Sequence, residues 1–285
     1  MAAVSDVSLL LAARHSRAGQ LDTIKATIDS YKRRFTQLFF LVALHSSWGP
    51  EFKWLCNPIL SCHSCALAWF ACPIGVYVHY AGYRIFPFLA VGMVLLLGVL
   101  IGRLLCGWVC PFGFLQDLLY KIPTPKFRMP PWTSYGKFAV LALMVVAFPF
   151  LWGEMTQWSF CRFCPASAIQ VTIPNVVSAG IASIDAATAV KLAILVLVLG
   201  LVIASSRSFC KAFCPIGAML APLNYISFWK IKAPTEHCTA CEACNRRCPQ
   251  GDTPSQRILD SVPPNRALDC IVCHDCQVSC PHKEE

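Results

Sequence analysis

The sequence predicts a mostly α-helical membrane protein, with four transmembrane helices in two parallel repeats and a small α+β domain after them. Three observations carry this. The 285 residues are 56% hydrophobic and only 14% charged, with a mean hydropathy of +0.55, the composition of a membrane protein with a smaller soluble part. An arginine- and cysteine-bearing motif occurs twice, each time after an apolar stretch. A double run of cysteines lies near the C-terminal end. The expected domains are an N-terminal cytoplasmic amphipathic segment over 1–34, a membrane domain over 35–229 and a cysteine-rich domain over 230–285.

Residues 1–30 do not read as a signal peptide. Asp6 precedes the apolar run 7–13, no basic region comes first, and Arg14, His15 and Arg17 follow. Leu21, Ile24 and Ile28 share one helical face, which predicts an amphipathic helix on the membrane surface.

Four apolar spans are expected next. They run from Phe35 to Trp48, across Ile85–Gly102, from Trp132 to Gly153 and from Ala186 to Ser206. A spanning helix needs about 20 mostly apolar residues, so the first is marginal and the others adequate. Trp48, Trp108, Trp132 and Trp152 lie near span ends, as an interfacial aromatic belt would place them. Ala66–Tyr83 is also apolar, but Pro73, Gly75 and Gly82 argue for a re-entrant or interfacial segment.

Charge sets the expected orientation. Basic residues crowd the N-terminal segment (Arg14, Arg17, Lys25, Lys32, Arg33, Arg34) and the loop after the second span (Lys121, Lys126, Arg128, Lys137). The loops 49–83 and 153–185 carry only Lys53 and Arg162. The positive-inside rule then puts both termini in the cytoplasm. The formal charge of +9 is thus a membrane signal and not a nucleic-acid one.

The repeat is explicit. Arg103-Leu-Leu-Cys106-Gly-Trp-Val-Cys110-Pro-Phe-Gly113 matches Arg207-Ser-Phe-Cys210-Lys-Ala-Phe-Cys214-Pro-Ile-Gly217. The halves share one orientation, so they form a parallel repeat about an axis along the membrane normal. One C-x3-C supplies two thiolates and a cubane needs four. The two repeats together supply Cys106, Cys110, Cys210 and Cys214, a complete ligand set at the inner face. Buried structural cysteine is the alternative. At the outer side, Cys62 and Cys65 could join Cys161 and Cys164 in a further cluster, with Cys72 and Cys56 as spare or competing ligands. There a disulfide is the rival, because that face is oxidising.

The C-terminal run Cys238 to Pro281 has the spacing C-x2-C-x2-C-x3-C-P twice, the bacterial pattern for two [4Fe–4S] clusters. The fourth cysteine of each run crosses to the other cluster. One set is therefore Cys238, Cys241, Cys244 and Cys280, and the other Cys270, Cys273, Cys276 and Cys248, with iron as the metal. Zinc uses paired ligands from distant hairpins. The Cys270–His274 stretch also fits a c-haem attachment pattern, but the longer spacing explains those cysteines. His45 and His79 are read as hydrogen-bonded structural residues in preference to haem ligands, and Asp117 and Glu154 as solvated interfacial carboxylates. Lys211, Arg246 and Arg247 are placed near clusters, where they would favour the reduced state.

The tandem C-x3-C-P-x-G motifs after apolar spans, followed by the double-cubane run, resemble the NapH/NosR membrane polyferredoxin family from about Phe35 to Pro281. That family covers the ferredoxin subunit of periplasmic nitrate reduction and the membrane half of the protein supporting nitrous oxide reductase; related members assist enzyme maturation. The resemblance implies four membrane helices, a cytoplasmic ferredoxin domain, and electron passage between a cytoplasmic or quinol donor and a periplasmic redox partner. Onto this sequence it carries Cys106, Cys110, Cys210, Cys214 and the eight C-terminal cysteines. The chain departs from NosR in leaving no room for a flavin domain, and its outer cysteines are more elaborate than the shared motif. The expected role is an integral membrane electron carrier of the bacterial or archaeal cytoplasmic membrane, with no bond-making substrate. Its expected partners are other redox subunits, a periplasmic reductase, dehydrogenase or cytochrome, and the quinone pool, with no nucleic acid. The alternative is an assembly or maturation factor that supplies electrons to a metalloenzyme.

Overall fold

The structure is a computed structural model that describes residues 31–46, 52–180, 184–232 and 238–280. The expected amphipathic helix in 1–30 and Trp48 lie outside these residues. The chain is mostly helical, and it is laid out twice. A helix over 31–44 leads into a loop, the helix Pro73–Gly82, the helix Phe88–Ile101 and the pair Leu104–Trp108 and Pro111–Leu119. The order then recurs. The continuous helical stretch Pro131–Trp152 leads into a loop and the unbroken series Pro165–Ser167, Ala168–Thr172 and Ile173–Ala179. The helix Ala186–Ala204 and the pair Ser208–Ala212 and Pro215–Leu220 close the second unit.

Among the described residues, two helices are long and apolar enough to cross a membrane, Pro131–Trp152 at 22 residues and Ala186–Ala204 at 19. Their most apolar windows are only 22% and 17% buried, so most of each apolar face looks outward, unlike a soluble core helix. The second expected span is a helix of 14 residues, Phe88–Ile101, shorter than the roughly 20 that a full crossing takes. Pro87 stands before it and Gly102, at φ 60°, ends it, which shortens the apolar run of the sequence at both ends. Phe88, Leu89, Leu95 and Leu96 nevertheless stand exposed on it.

One core joins the two units. Leu60, Cys72, Ile74, Val94, Cys110, Phe112, Cys164, Val202, Cys214 and Ile216 all belong to it, and Cys273 packs against it from the C-terminal unit. The loop of the first unit carries a two-stranded parallel sheet, Phe52–Cys56 with Phe70–Ala71, which the sequence did not predict. Conversely, the C-terminal unit has no strand among the described residues. It holds the short helices Ala243–Arg247, Pro254–Leu259 and Asp275–Val278. The α+β expectation is not met there because the backbone is turned into tight loops around its cysteines.

The C-terminal unit is fastened to the membrane part by side chains reaching its backbone. Asn224 donates to the carbonyls of Ala267 and Cys270 at 2.9 and 2.7 Å, and the Arg103 guanidinium donates to Leu268 O at 2.6 Å. Lys137 pairs with Asp269 at 2.6 Å and Arg33 with Asp275 at 2.7 Å. The two parts are one packed body.

Candidate iron–sulfur sites

In the C-terminal unit, the two runs fold alike. Ala240 and Glu242 flank Cys241 with φ of 54° and 55°, and Val272 and His274 flank Cys273 with φ of 52° and 63°. Left-handed backbone is unfavourable for non-glycine residues, and more so for β-branched Val272. Such alternation turns successive N–H groups to one side and makes a concavity for an anion, and Val272 N–H donates to Cys270 Sγ at 3.4 Å. One cavity is lined by Cys238, Cys241, Cys244 and Cys280. A second is lined by Cys248, Cys270, Cys273 and Cys276.

In the membrane part, the two motifs have the same backbone. Cys110 N–H donates to Leu105 O at 2.9 Å, and Cys214 N–H to Phe209 O at 3.0 Å. Each cysteine then caps a helix with proline in its first turn. Pre-proline sterics hold the capping cysteine extended, so its sulfur lies at the helix start. There Gly217 N–H reaches Cys214 Sγ at 3.4 Å. Burial pushes the Cys110 thiol up to about 12, and Cys210 and Cys106 add to the shift. Cys214 is likewise raised by burial and then by Cys210, Cys106 and Cys110. All four inner thiols are therefore close enough to feel one another's charge.

The two arginines of the motifs are exchanged between the repeats. Arg207 is fully buried, donates to Cys106 O at 2.8 Å and grips Asp117 with contacts of 2.8 and 2.6 Å. Arg103 in turn stands against Gly217, where an added Cβ would lie 2.9 Å from its guanidinium. Asp117 is not solvated as the sequence suggested. Burial raises its pKa, but Arg207 and then Arg33 more than offset this and hold it below its ordinary value. Gln116, next to it, donates to Cys210 Sγ at 3.0 Å. The sequence reading missed Arg103, Arg207 and Gln116 as site residues. The arginines did leave a signal, since each stands three residues before the first cysteine of its motif.

The inner cysteines and the C-terminal unit touch. An added Cβ on Gly107 would collide with Ile271 O, and Trp108 Nε1–H donates to Val272 O at 3.1 Å. Arg207 lies within electrostatic reach of both Cys210 and Cys273. Lys211 is buried and donates to Met129 O and Gln250 O, both at 3.1 Å, two residues from Cys248.

At the outer side, a cavity of about 460 Å³ is lined by Cys62, Cys72, Cys161 and Cys164 among others. Cys65 and Cys56 are not part of it. Cys65 N–H donates to Cys62 O at 3.1 Å and the residue is buried, while Cys56 packs with Ala71 and Ala90. His45 contacts Leu41 O, Ser61 Oγ and Gln170 Nε2, and His79 pairs with Glu154, so both histidines have structural partners. Among the described residues no three Cys, His, Asp or Glu side chains converge on one ion-sized point; cubane thiolates each meet a different iron and need not.

A family described as 4Fe-4S binding domain matches the chain twice, over residues 83–130 and 189–234. Each match contains one C-x3-C-P motif. The chain is 28% identical over 198 residues to the uncharacterized protein MJ0750 of Methanocaldococcus jannaschii, across 66% of this chain and 73% of that one. It is 26% identical to the putative electron transport protein YccM of Escherichia coli, over 66% of this chain and 51% of YccM. It is 28% identical to the regulatory protein NosR of Pseudomonas aeruginosa, over 61% of this chain and 23% of NosR. The chain thus spans only part of each relative's length. No solved structure matches it. By fold, motif and match this is an iron–sulfur protein. Its matched domain and its relatives make it similar to NosR-type 4Fe-4S proteins.

Proposed function

We propose that the protein is a multi-pass membrane electron carrier with four transmembrane helices and both termini cytoplasmic. Electrons from a cytoplasmic or quinol donor would pass through it to a membrane or periplasmic redox partner. The observation that carries this is the contact of Gly107 and Trp108 with the backbone of Ile271 and Val272. It brings the first C-x3-C motif against the second C-terminal run.

Three [4Fe–4S] clusters fit the residues present. Cys238, Cys241, Cys244 and Cys280 would hold the first, Cys248, Cys270, Cys273 and Cys276 the second, and Cys106, Cys110, Cys210 and Cys214 the third. The clusters supply one-electron chemistry, and the chain's own groups set where each electron rests. Gln116 and the buried Arg207 stabilise added negative charge at the third site, as Lys211 does near Cys248. The proposed domains are 1–34, 35–229 and 230–285. YccM's description as an electron transport protein supports the reading.

The test is iron analysis and low-temperature EPR on anaerobically purified full-length protein. Cys106→Ser and Cys214→Ser should each lose about four irons and the same signal, because four ligands act as a unit. Iron content unchanged in both would sink the inner cluster. A role in maturing a partner metalloenzyme would instead leave these losses intact but make partner assembly, not its turnover, the defect in cells.

A further inference from the structure

The membrane part contains four cysteine–proline steps, and they sort themselves by backbone. Cys72, Cys110, Cys164 and Cys214 have φ/ψ of −71/124, −63/118, −64/120 and −72/112°. Each caps a helix that begins with the proline. The inner set takes one such cysteine from each repeat, Cys110 and Cys214, plus one further cysteine from each, Cys106 and Cys210. The 460 Å³ cavity repeats this composition. It takes the capping cysteines Cys72 and Cys164, plus Cys62 from the first repeat and Cys161 from the second. Cys65, the sequence-level choice, has no counterpart in this scheme and lies outside the cavity.

We propose that this cavity is a [4Fe–4S] site held by Cys62, Cys72, Cys161 and Cys164, a fourth cluster that extends the electron path of the proposed function.

Several features fit a cluster. Gly75, three residues after Cys72, lies under His63, and a Cβ there would collide with the imidazole Nδ1. The absence of a side chain at residue 75 leaves room for this imidazole over the cavity. Gln170 of the second repeat accepts from Cys62 N–H at 2.6 Å, which ties the loop of one repeat to the helix of the other. Lys191 also lines the cavity and donates to Ser167 Oγ at 2.8 Å, a cation beside a group that becomes more negative on reduction. The position is right as well. Cys110 shares its core with Leu60, two residues before Cys62, which is at most roughly 7 Å of extended chain. The two sets share one core. An electron entering from the third cluster would reduce the fourth, and a partner at the exposed rim of His63 and Arg162 would take it, with no bond made or broken.

The rival is a pair of disulfides, Cys62–Cys65 and Cys161–Cys164. The experiment compares anaerobically purified full-length wild type with Cys72→Ser, Cys164→Ser and Cys65→Ser, by iron per protein, EPR and thiol mapping by mass spectrometry. Cys72→Ser and Cys164→Ser should each lose about four irons and one shared signal, while Cys65→Ser keeps both. Loss in Cys65→Ser but not Cys72→Ser would overturn the ligand set. Full iron in all three, with disulfides at Cys62 and Cys161, would overturn the cluster. Gly75→Ala gives a second readout that keeps all thiols, and should loosen or lose the same signal. Signals from the other clusters remain as an internal reference, so failure here is distinct from failure of the proposed function.

Discussion

At the scale of single residues, buried charge decides how the repeats hold together. Arg207 and Arg33 both meet Asp117, and the side chains of the three are at most 10% exposed. Removing one partner of such a group costs about 3–5 kcal/mol, because the charges left behind are desolvated and unpaired. Asp117→Asn should therefore lower the unfolding midpoint in detergent by a stability loss of that order. The pH dependence has a definite sign. The folded pKa of Asp117 is depressed, so its contribution is complete above about pH 4 and vanishes as pH falls through the folded value. The difference between wild type and Asp117→Asn should stay flat from pH 8 to 5 and shrink only in stronger acid. Gln116 has a separate role. Its amide donates to Cys210 Sγ, and a hydrogen bond to sulfur favours the reduced cluster. Gln116→Leu should make that cluster's midpoint more negative by about 40 mV, from about 1 kcal/mol per bond. A redox titration followed by EPR would check this, and a midpoint that rises would refute it. None of this was legible in sequence. A carboxylate between apolar spans reads as solvated until its arginine, ninety residues away, is brought to it by the fold.

At the scale of elements, the cysteine spacing was informative and the secondary structure was not. The runs C-x2-C-x2-C-x3-C-P define which thiols share a cavity, because covalent spacing limits how three neighbours can wrap one object. They do not say that Val272 and His274 take left-handed backbone, or that the expected strands are absent among the described residues. The helices that start at the Cys-Pro steps were not foreseen, although proline favours the first turn of a helix. Nor was the choice between Cys65 and Cys72, as local spacing favoured the closer pair. Gly107 tests the docking of elements directly. Gly107→Ala would force Ile271 O away and should cost about 1–3 kcal/mol as overpacking. Iron content should stay the same while the magnetic coupling between the two adjacent clusters weakens. Unchanged coupling, measured by power saturation of the EPR signal, would mean that the contact does not set their spacing.

At the scale of the whole molecule, duplication was the most readable property, and helix length the least. Charge and hydropathy predict four spans, but Phe88–Ile101 is only 14 helical residues; Gly102 and Pro87 bound it in ways that a hydropathy average cannot see. The proposed topology is open to direct measurement. Reporters fused after residue 285 and within 121–130 should be active in the cytoplasm, and one inserted near Arg162 in the periplasm. A periplasmic C-terminal reporter would reverse the orientation. The junction at Gly107 and Ile271 has a consequence for kinetics. A soluble ferredoxin must diffuse, collide and orient before each transfer, so its delivery slows as the medium thickens or the carrier is diluted. Here the proposed donor site is packed against the proposed acceptor site. Along the proposed path, internal hops should be indifferent to viscosity and protein concentration, and throughput would be limited only at the two surfaces where partners come and go.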